Sequence, residues 1–438
     1  MKCFVFPAMT VFAFLLWNTQ VRAQLIDKTQ QPNTANEGIA KSLSEQIGPD
    51  LFGHESLTQP NTSLFIINRD PFRAIRRGRQ LFQRKFLQTE GLGPRLDDGT
   101  GDISANLDRG AGFSDSCASC HGRPRGSGGV GGDVATRPDS RDAPHLFGLG
   151  LEEMLADEIT ADLRAIRTQA IGEARVTQQP VAKSLTSKGI TYGSLTASPN
   201  GTVDITHVQG VNSDLRVRPF FAHGGKISLR EFLIGALQAE MGLQAVDPEL
   251  MAAHNGARIV TPSGMLVDGS LDQLEAPPTD DPTADLDGDG VPNEIPASLV
   301  DHLEFYLLNY FKPATYEQTR STDKGRRLLD DSKCTACHIS DLQIDRDRRM
   351  ADVETVFDPS QGGFDGLLAT ATPLYSTVDD GSGFPALKRP LLGTFLVKNI
   401  FTDFKRHDVG PAFYERNYDG TLRKEFLTTP LWGVARCV

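Results

Sequence analysis

The sequence predicts a mainly α protein built from two helical modules joined by a loop-rich linker, and three observations carry that expectation. A segment with apolar residues at helical spacing twice precedes a Cys-x-x-Cys-His pentapeptide. It does so over 72–82 ahead of Cys117-Ala-Ser-Cys120-His121, and over 324–329 ahead of Cys334-Thr-Ala-Cys337-His338. Two further stretches, 228–241 and 297–311, repeat the helical period, and Ser228 followed by Glu231 reads as a capping box. Between the halves, 261–295 is rich in Gly, Pro and Asp, the composition of a bridge.

Taken in order, Met1-Lys2 precedes an apolar stretch over 4–17, then Val21-Arg-Ala23 before Gln24. This is the pattern of a cleavable secretory signal over 1–23, with an apolar core too short to span a bilayer. No later segment offers the roughly 18 uncharged apolar residues a membrane helix needs. Residues 24–70 are rich in Gln, Asn, Thr and Ser and predict a polar arm. The first module runs over 71–260. Its opening helix carries Gly78-Arg-Gln-Leu81-Phe82, and an insert with Gly91-Leu-Gly-Pro94 separates it from Cys117. Ala143-Pro144-His145-Leu146-Phe147-Gly148 follows the first pentapeptide and is echoed later by Thr429-Pro430-Leu431-Trp432-Gly433. The turn His223-Gly-Gly-Lys226 leads into the helix ending at Met241-Gly242. After the linker, 296–438 forms the second module, with Lys324-Gly325-Arg-Arg-Leu328-Leu329 as counterpart of the opening helix.

The pentapeptides carry the chemistry. Two thiols three positions apart can reach the two vinyl groups of one porphyrin while the next residue presents an imidazole to iron. Cys117, Cys120 and His121, with Cys334, Cys337 and His338, therefore predict two covalently attached c-type haems with His121 and His338 as proximal ligands. A four-thiolate zinc site from the same cysteines would leave both histidines without a purpose. A disulfide within either motif closes too small a loop to staple much. Cys3 belongs to the signal, and Cys437 is an odd thiol. The net charge of −11 argues against nucleic acid and anionic membranes as partners and suits steering toward a basic redox protein, although it also serves plain solubility. Asp285-Leu-Asp287-Gly-Asp289-Gly290 spaces oxygen ligands like the opening of a calcium loop, but Pro296 stands where an EF-hand needs its bidentate acid, so a solvated acidic turn is the competing reading.

These residues in this order resemble the diheme cytochrome c peroxidase and MauG superfamily, and more closely its diheme oxidoreductase branch, once called thiol oxidoreductases. Further features of the resemblance are Glu240-Met241-Gly242, His407-Asp408-Val409-Gly410-Pro411 and Thr429-Pro430-Leu431-Trp432-Gly433. It implies two cytochrome c-like domains and a periplasmic or secreted oxidoreductase that passes electrons between a small redox protein and a substrate such as hydrogen peroxide. The alternative is an electron-transfer or redox-sensing diheme cytochrome without substrate chemistry. The resemblance also implies Met241 as distal ligand of the first haem, where a flexible core filler is the plain reading; Met154, His145 and His223 are the alternatives in that module. Relatives hold calcium between their haem domains. Two departures stand out. Val409 replaces a methionine of the branch's pattern, and the second His-x-Gly turn with its helix does not follow Gly433, which reads as truncation. If instead the sequence as given is the whole module, the second haem is expected to be five-coordinate or to take His407 or Met350.

Overall fold

Among the described residues, eight helices and several small antiparallel sheets build the chain in a computed structural model. It describes residues 25–26, 44–45, 62–69, 71–87, 91–92, 114–121, 143–281, 283–285, 290, 295–310, 320–347, 353–356, 370–373, 394–416 and 421–431. The helices are α1 (Ser63–Arg69), α2 (Pro71–Gln83), α3 (Cys117–His121), α4 (Leu149–Thr177), α5 (Leu229–Met241), α6 (Pro248–His254), α7 (Ala297–Tyr310) and α8 (Arg320–Asp331).

The expected mainly α fold, with two cytochrome c-like helical domains, is corrected here. Among the described residues helix makes up 40% and strand 18%, an α/β mixture. One reason lies in a stretch without any of the motifs. Val181–Ser187 and Ile190–Ala197 pair antiparallel across Lys188-Gly189. Both turn residues have positive φ, 49° and 79°, as a two-residue turn that matches strand twist requires. Val203–Asp204 adds a third strand. Leu185, Tyr192, Leu195 and Ala197 point inward and are buried, so period-2 alternation, not the helical period, is the signal in this segment. In the second half, inside the module expected to be a helical cytochrome c-like domain, Leu342–Ile344 pairs with Phe395–Val397, and Arg406–Asp408 with Glu425–Leu427.

The helices that the period did predict form where expected, and their packing explains their sequence. Gly78 of α2 faces the His302 carbonyl and Tyr306 Cβ of α7, and a Cβ there would run into both. Phe82 meets Tyr306 with ring centroids 5.7 Å apart. At the start of α5, Ser228 Oγ accepts the Glu231 N–H at 3.0 Å, and Glu231 Oε2 accepts the Ile227 N–H at 2.8 Å. Gly242, at φ 68°, ends the helix while Leu243 N–H donates to the Leu237 carbonyl at 3.0 Å, a left-handed cap that only glycine adopts without strain.

At the centre of α1, α5, α6 and α7 lies a charge cluster. Arg230 donates to Asp247 at 2.5 Å, to Asp301 at 2.6 Å and to Glu304 at 3.1 Å, and all four side chains are fully buried. Ser63 Oγ donates to Asp301 at 2.5 Å. Three carboxylates exceed one guanidinium. Burial, with Glu153 and Asp301 adding repulsion against the Arg230 attraction, pushes Glu304 up to about 8, so it keeps a proton at neutral pH.

The second half is docked on the first by polar groups. Glu158 of α4 accepts the backbone N–H groups of Asp345 at 2.9 Å, Asp347 at 2.7 Å and Arg346, and the Lys188 ammonium at 2.6 Å. Burial alone would raise its carboxyl, but Lys188 and these N–H groups outweigh that and hold it below the ordinary value. Tyr192 O–H donates to the Asp403 carbonyl at 2.8 Å. Part of the expected linker is firmly held too, since buried Asp272 receives Arg164 at 2.8 Å.

Candidate haem-binding sites

The first pentapeptide forms the single helical turn α3, fixed by the ends of two helices. Phe86, just past α2, donates its N–H to the Asp115 carbonyl at 2.8 Å, and Lys85 pairs with the Asp115 carboxylate at 2.8 Å. Ser114 N–H donates to the Glu240 carbonyl in the last turn of α5 at 3.2 Å. His121 Nδ1 lies 2.8 Å from the Pro144 carbonyl oxygen, and since a carbonyl only accepts, Nδ1 carries the proton and Nε2 keeps a bare lone pair. Burial pushes His121 down to about 4 and the Cys117 thiol up to about 12, so the imidazole is neutral and the thiol protonated at neutral pH.

The second pentapeptide opens as a 3-10 turn over Cys334–Ala336, with His338 N–H donating to the Cys334 carbonyl at 2.9 Å. The local element differs from α3, yet the imidazole is treated alike. His338 Nδ1 lies 2.8 Å from the Phe401 carbonyl oxygen. That carbonyl is delivered by a contorted loop in which Asn399, Phe401 and Phe404 have φ of 59°, 55° and 52°. Each left-handed non-glycine residue costs about 1–2 kcal/mol, and such strain concentrates at functional sites. Arg326 of α8 stacks over the Phe401 ring at 5.4 Å.

Covalent haem c fits these residues on their own geometry. All four cysteines are free thiols. Each histidine is held in the tautomer that leaves Nε2 available to a metal, the orientation that a ring-to-carbonyl hydrogen bond gives to ligating imidazoles. Cys117, Ala118 and Ile339 lie partly buried against the hydrophobic core, an apolar setting for a porphyrin edge.

The remaining candidates separate. Met241 is buried as the last residue of α5, one position beyond the carbonyl that accepts the Ser114 N–H, so its backbone stands next to the segment that leads into the first pentapeptide. Met154 is buried in α4. His145 is committed elsewhere: Phe147 N–H donates to its Nδ1 at 3.3 Å, and the ring also faces the Pro430 carbonyl. His223 lies in the turn closed by the Phe220 and Lys226 bridge and stacks on Phe221 at 5.8 Å. His407 lies beside the second pentapeptide, with Nε2 2.8 Å from Asp403 and ligand atoms of Cys337, Asp403 and His407 within 4.8 Å of one another. Asp403, four residues before His407, escaped the sequence reading, which followed only the run from His407 to Pro411. Met350, Asp287 and Asp289 lie outside the described residues. Asp285 is exposed and accepts the Gly290 N–H at 2.8 Å, a turn bond that an acidic loop makes with or without calcium.

The repeated Pro-containing turns meet in space, since His145 of one faces Pro430 of the other. A buried acid accompanies the first of them: Glu152, in the opening turn of α4, is pushed up to about 8 by burial. No known protein family, curated protein or solved structure matches the chain. Among the described residues no helix is long and apolar enough to cross a membrane.

Proposed function

We propose that the chain is an exported, periplasmic diheme c-type oxidoreductase of the cytochrome c peroxidase and MauG kind, passing electrons between a small redox protein and a small-molecule substrate such as hydrogen peroxide. The observation that carries the reading is the same arrangement at two pentapeptides of different backbone geometry: His121 and His338 each give Nδ1–H to a backbone carbonyl at 2.8 Å. A tautomer fixed in this way keeps Nε2 for iron and raises the basicity of the ring. When bound, covalent haem c would supply one-electron redox chemistry and, at an open iron position, a place for peroxide.

The protein's own residues have definite parts in this reading. Cys117 and Cys120, with Cys334 and Cys337, hold the two porphyrins, and the carbonyls of Pro144 and Phe401 orient the proximal rings. Met241, buried at the end of the helix whose Glu240 carbonyl holds Ser114, is the candidate thioether ligand that would raise the potential there. The acidic surface steers a basic redox partner.

A second reading has its own support. His407 stands beside Cys337 with its ring oriented by Asp403, so each pentapeptide has a further ligand candidate close by. Two six-coordinate irons would make an electron carrier or redox sensor without substrate chemistry. The test begins with the exported full chain and a pyridine haemochromogen assay, where two covalent haems are expected, one lost in Cys117→Ser/Cys120→Ser and the other in Cys334→Ser/Cys337→Ser. A chain without covalent haem sinks both readings. Peroxide-dependent oxidation of a reduced donor then separates the enzyme from the carrier.

A further inference from the structure

Beside the second pentapeptide, the fold gathers three side chains of the kinds that bind transition metals. The thiol sulfur of Cys337, a carboxylate oxygen of Asp403 and a ring nitrogen of His407 all lie within 4.8 Å of one another. Three separate parts of the chain deliver them: the turn of the pentapeptide, the left-handed loop that starts at Asn399, and the strand Arg406–Asp408.

Each donor is fixed from behind. Asp403 is buried, its carbonyl accepts the Tyr192 O–H at 2.8 Å, and its Oδ1 accepts the Lys405 N–H at 3.0 Å. That leaves Oδ2 for His407, whose Nε2 stands 2.8 Å away. A straight strand would hold residues four apart at about 13 Å. Phe404, with φ 52°, bends the chain between Asp403 and His407 so that they meet instead. His407 is held in register by pairing with Phe426, and the Cys337 N–H donates to the Cys334 carbonyl at 3.2 Å.

We propose that, before haem is attached, Cys337, Asp403 and His407 hold a divalent cation of the zinc class, with its fourth position open to solvent. The site stands on its own geometry, and only its exclusion by haem rests on the haem reading above. One sulfur, one oxygen and one imidazole nitrogen are donors that zinc accepts together, and three protein donors plus a water are the usual set where a position stays open. Tetrahedral bonds of about 2.0–2.3 Å place donors about 3.3–3.6 Å apart, so the sulfur closes in by about 1 Å and the Asp403–His407 pair opens slightly as the cation replaces the hydrogen between them. A thiolate and a carboxylate cancel the two charges of the cation, which a partly buried site requires. Access is open, since the His407 side chain is 28% exposed and Cys337 is half-buried. A porphyrin bound through Cys337 turns the thiol into a thioether, a weak donor to zinc, so the cation and the second haem exclude each other.

The test uses the reduced full chain, produced without haem attachment and titrated with Co2+ as a coloured stand-in for zinc. Saturation at one equivalent is expected, with a thiolate-to-cobalt charge-transfer band, the visible bands of a four-coordinate ion, and displacement by Zn2+. Cys337→Ser should abolish the charge-transfer band, and His407→Gln and Asp403→Asn should each weaken binding tenfold or more. The absence of the thiolate band in the parent, its survival in Cys337→Ser, or binding unmoved in both His407→Gln and Asp403→Asn would overturn the site. In the haem-loaded chain the band should be gone. Its persistence there would show Cys337 unattached, which sinks the haem reading of the second pentapeptide and leaves the cation site standing.

Discussion

The two pentapeptides share a sequence pattern and the treatment of their histidines, but they are held by opposite means. Around the first, α2 lies in the core against α7, and α5 closes on the segment before Cys117 through Ser114. Around the second, the preceding helix α8 has no buried residue, and the support comes from strands, a left-handed loop and polar docking to Glu158 and Tyr192. The first site thus hangs by a few polar contacts on helices packed in the core, the second on hydrogen bonds plus backbone strain. The two will fail differently.

The largest effect is expected from breaking the core of the first region at its charge cluster. Arg230→Met leaves Asp247, Asp301 and Glu304 buried without their cation, and removing one partner from a buried ionic network costs about 3–5 kcal/mol. Chemical denaturation should show this loss for the helical region as a whole. A midpoint like the parent's would mean that the carboxyls take up protons without cost, and that the cluster does not bind α1, α5, α6 and α7 together.

How much of this was legible in the sequence follows from where the signals were local. Helical period placed α2, α5 and α7, Ser228 announced the cap, and the pentapeptides marked both candidate sites. The alternating strands around Lys188-Gly189 were equally readable, since a two-residue turn between alternating apolar positions is a hairpin signal, but they lie away from every motif and went unread. Their omission, together with the hairpins of the second half, made the fold look mainly α. Nothing local could reveal that Arg230 sits among Asp247, just before α6, and Asp301 and Glu304 of α7, or that Phe401 lends its carbonyl to His338. Those pairings join residues far apart in the chain. The meeting of Pro430 with His145 was foreshadowed only as a repeated turn.

The second region breaks at its docking. Glu158→Gln keeps the shape but removes the charge that gathers three N–H groups and Lys188, and the loss should be about 2–3 kcal/mol, felt at Lys188, 345–347 and the strands that follow while α2 and α7 stay protected from hydrogen exchange. The pH dependence has a fixed sign. The carboxyl is held below its ordinary 4.5, so its stabilisation is complete above that value and disappears as pH falls through the lowered one. Acid should therefore loosen the second half in the parent but add little in Glu158→Gln. Parallel acid curves for the two proteins would contradict the assignment.

The finest discrimination comes from the two glycines at matching places in the repeated helices. Gly78 meets the His302 carbonyl and Tyr306 in α7, whereas a Cβ at Gly325 has nothing within 4 Å. In Gly78→Ala the helices must move apart, and overpacking of this kind costs about 1–3 kcal/mol. In Gly325→Ala the same exchange meets open space and removes only the conformational freedom that a helix interior pays for glycine, a gain of about 0.5–1 kcal/mol. Thermal unfolding of the two variants should move in opposite directions from the parent. If Gly325→Ala destabilised the protein instead, α8 would have to pack against something beyond its neighbours among the described residues, and the contrast between a packed first region and an open second one would fall.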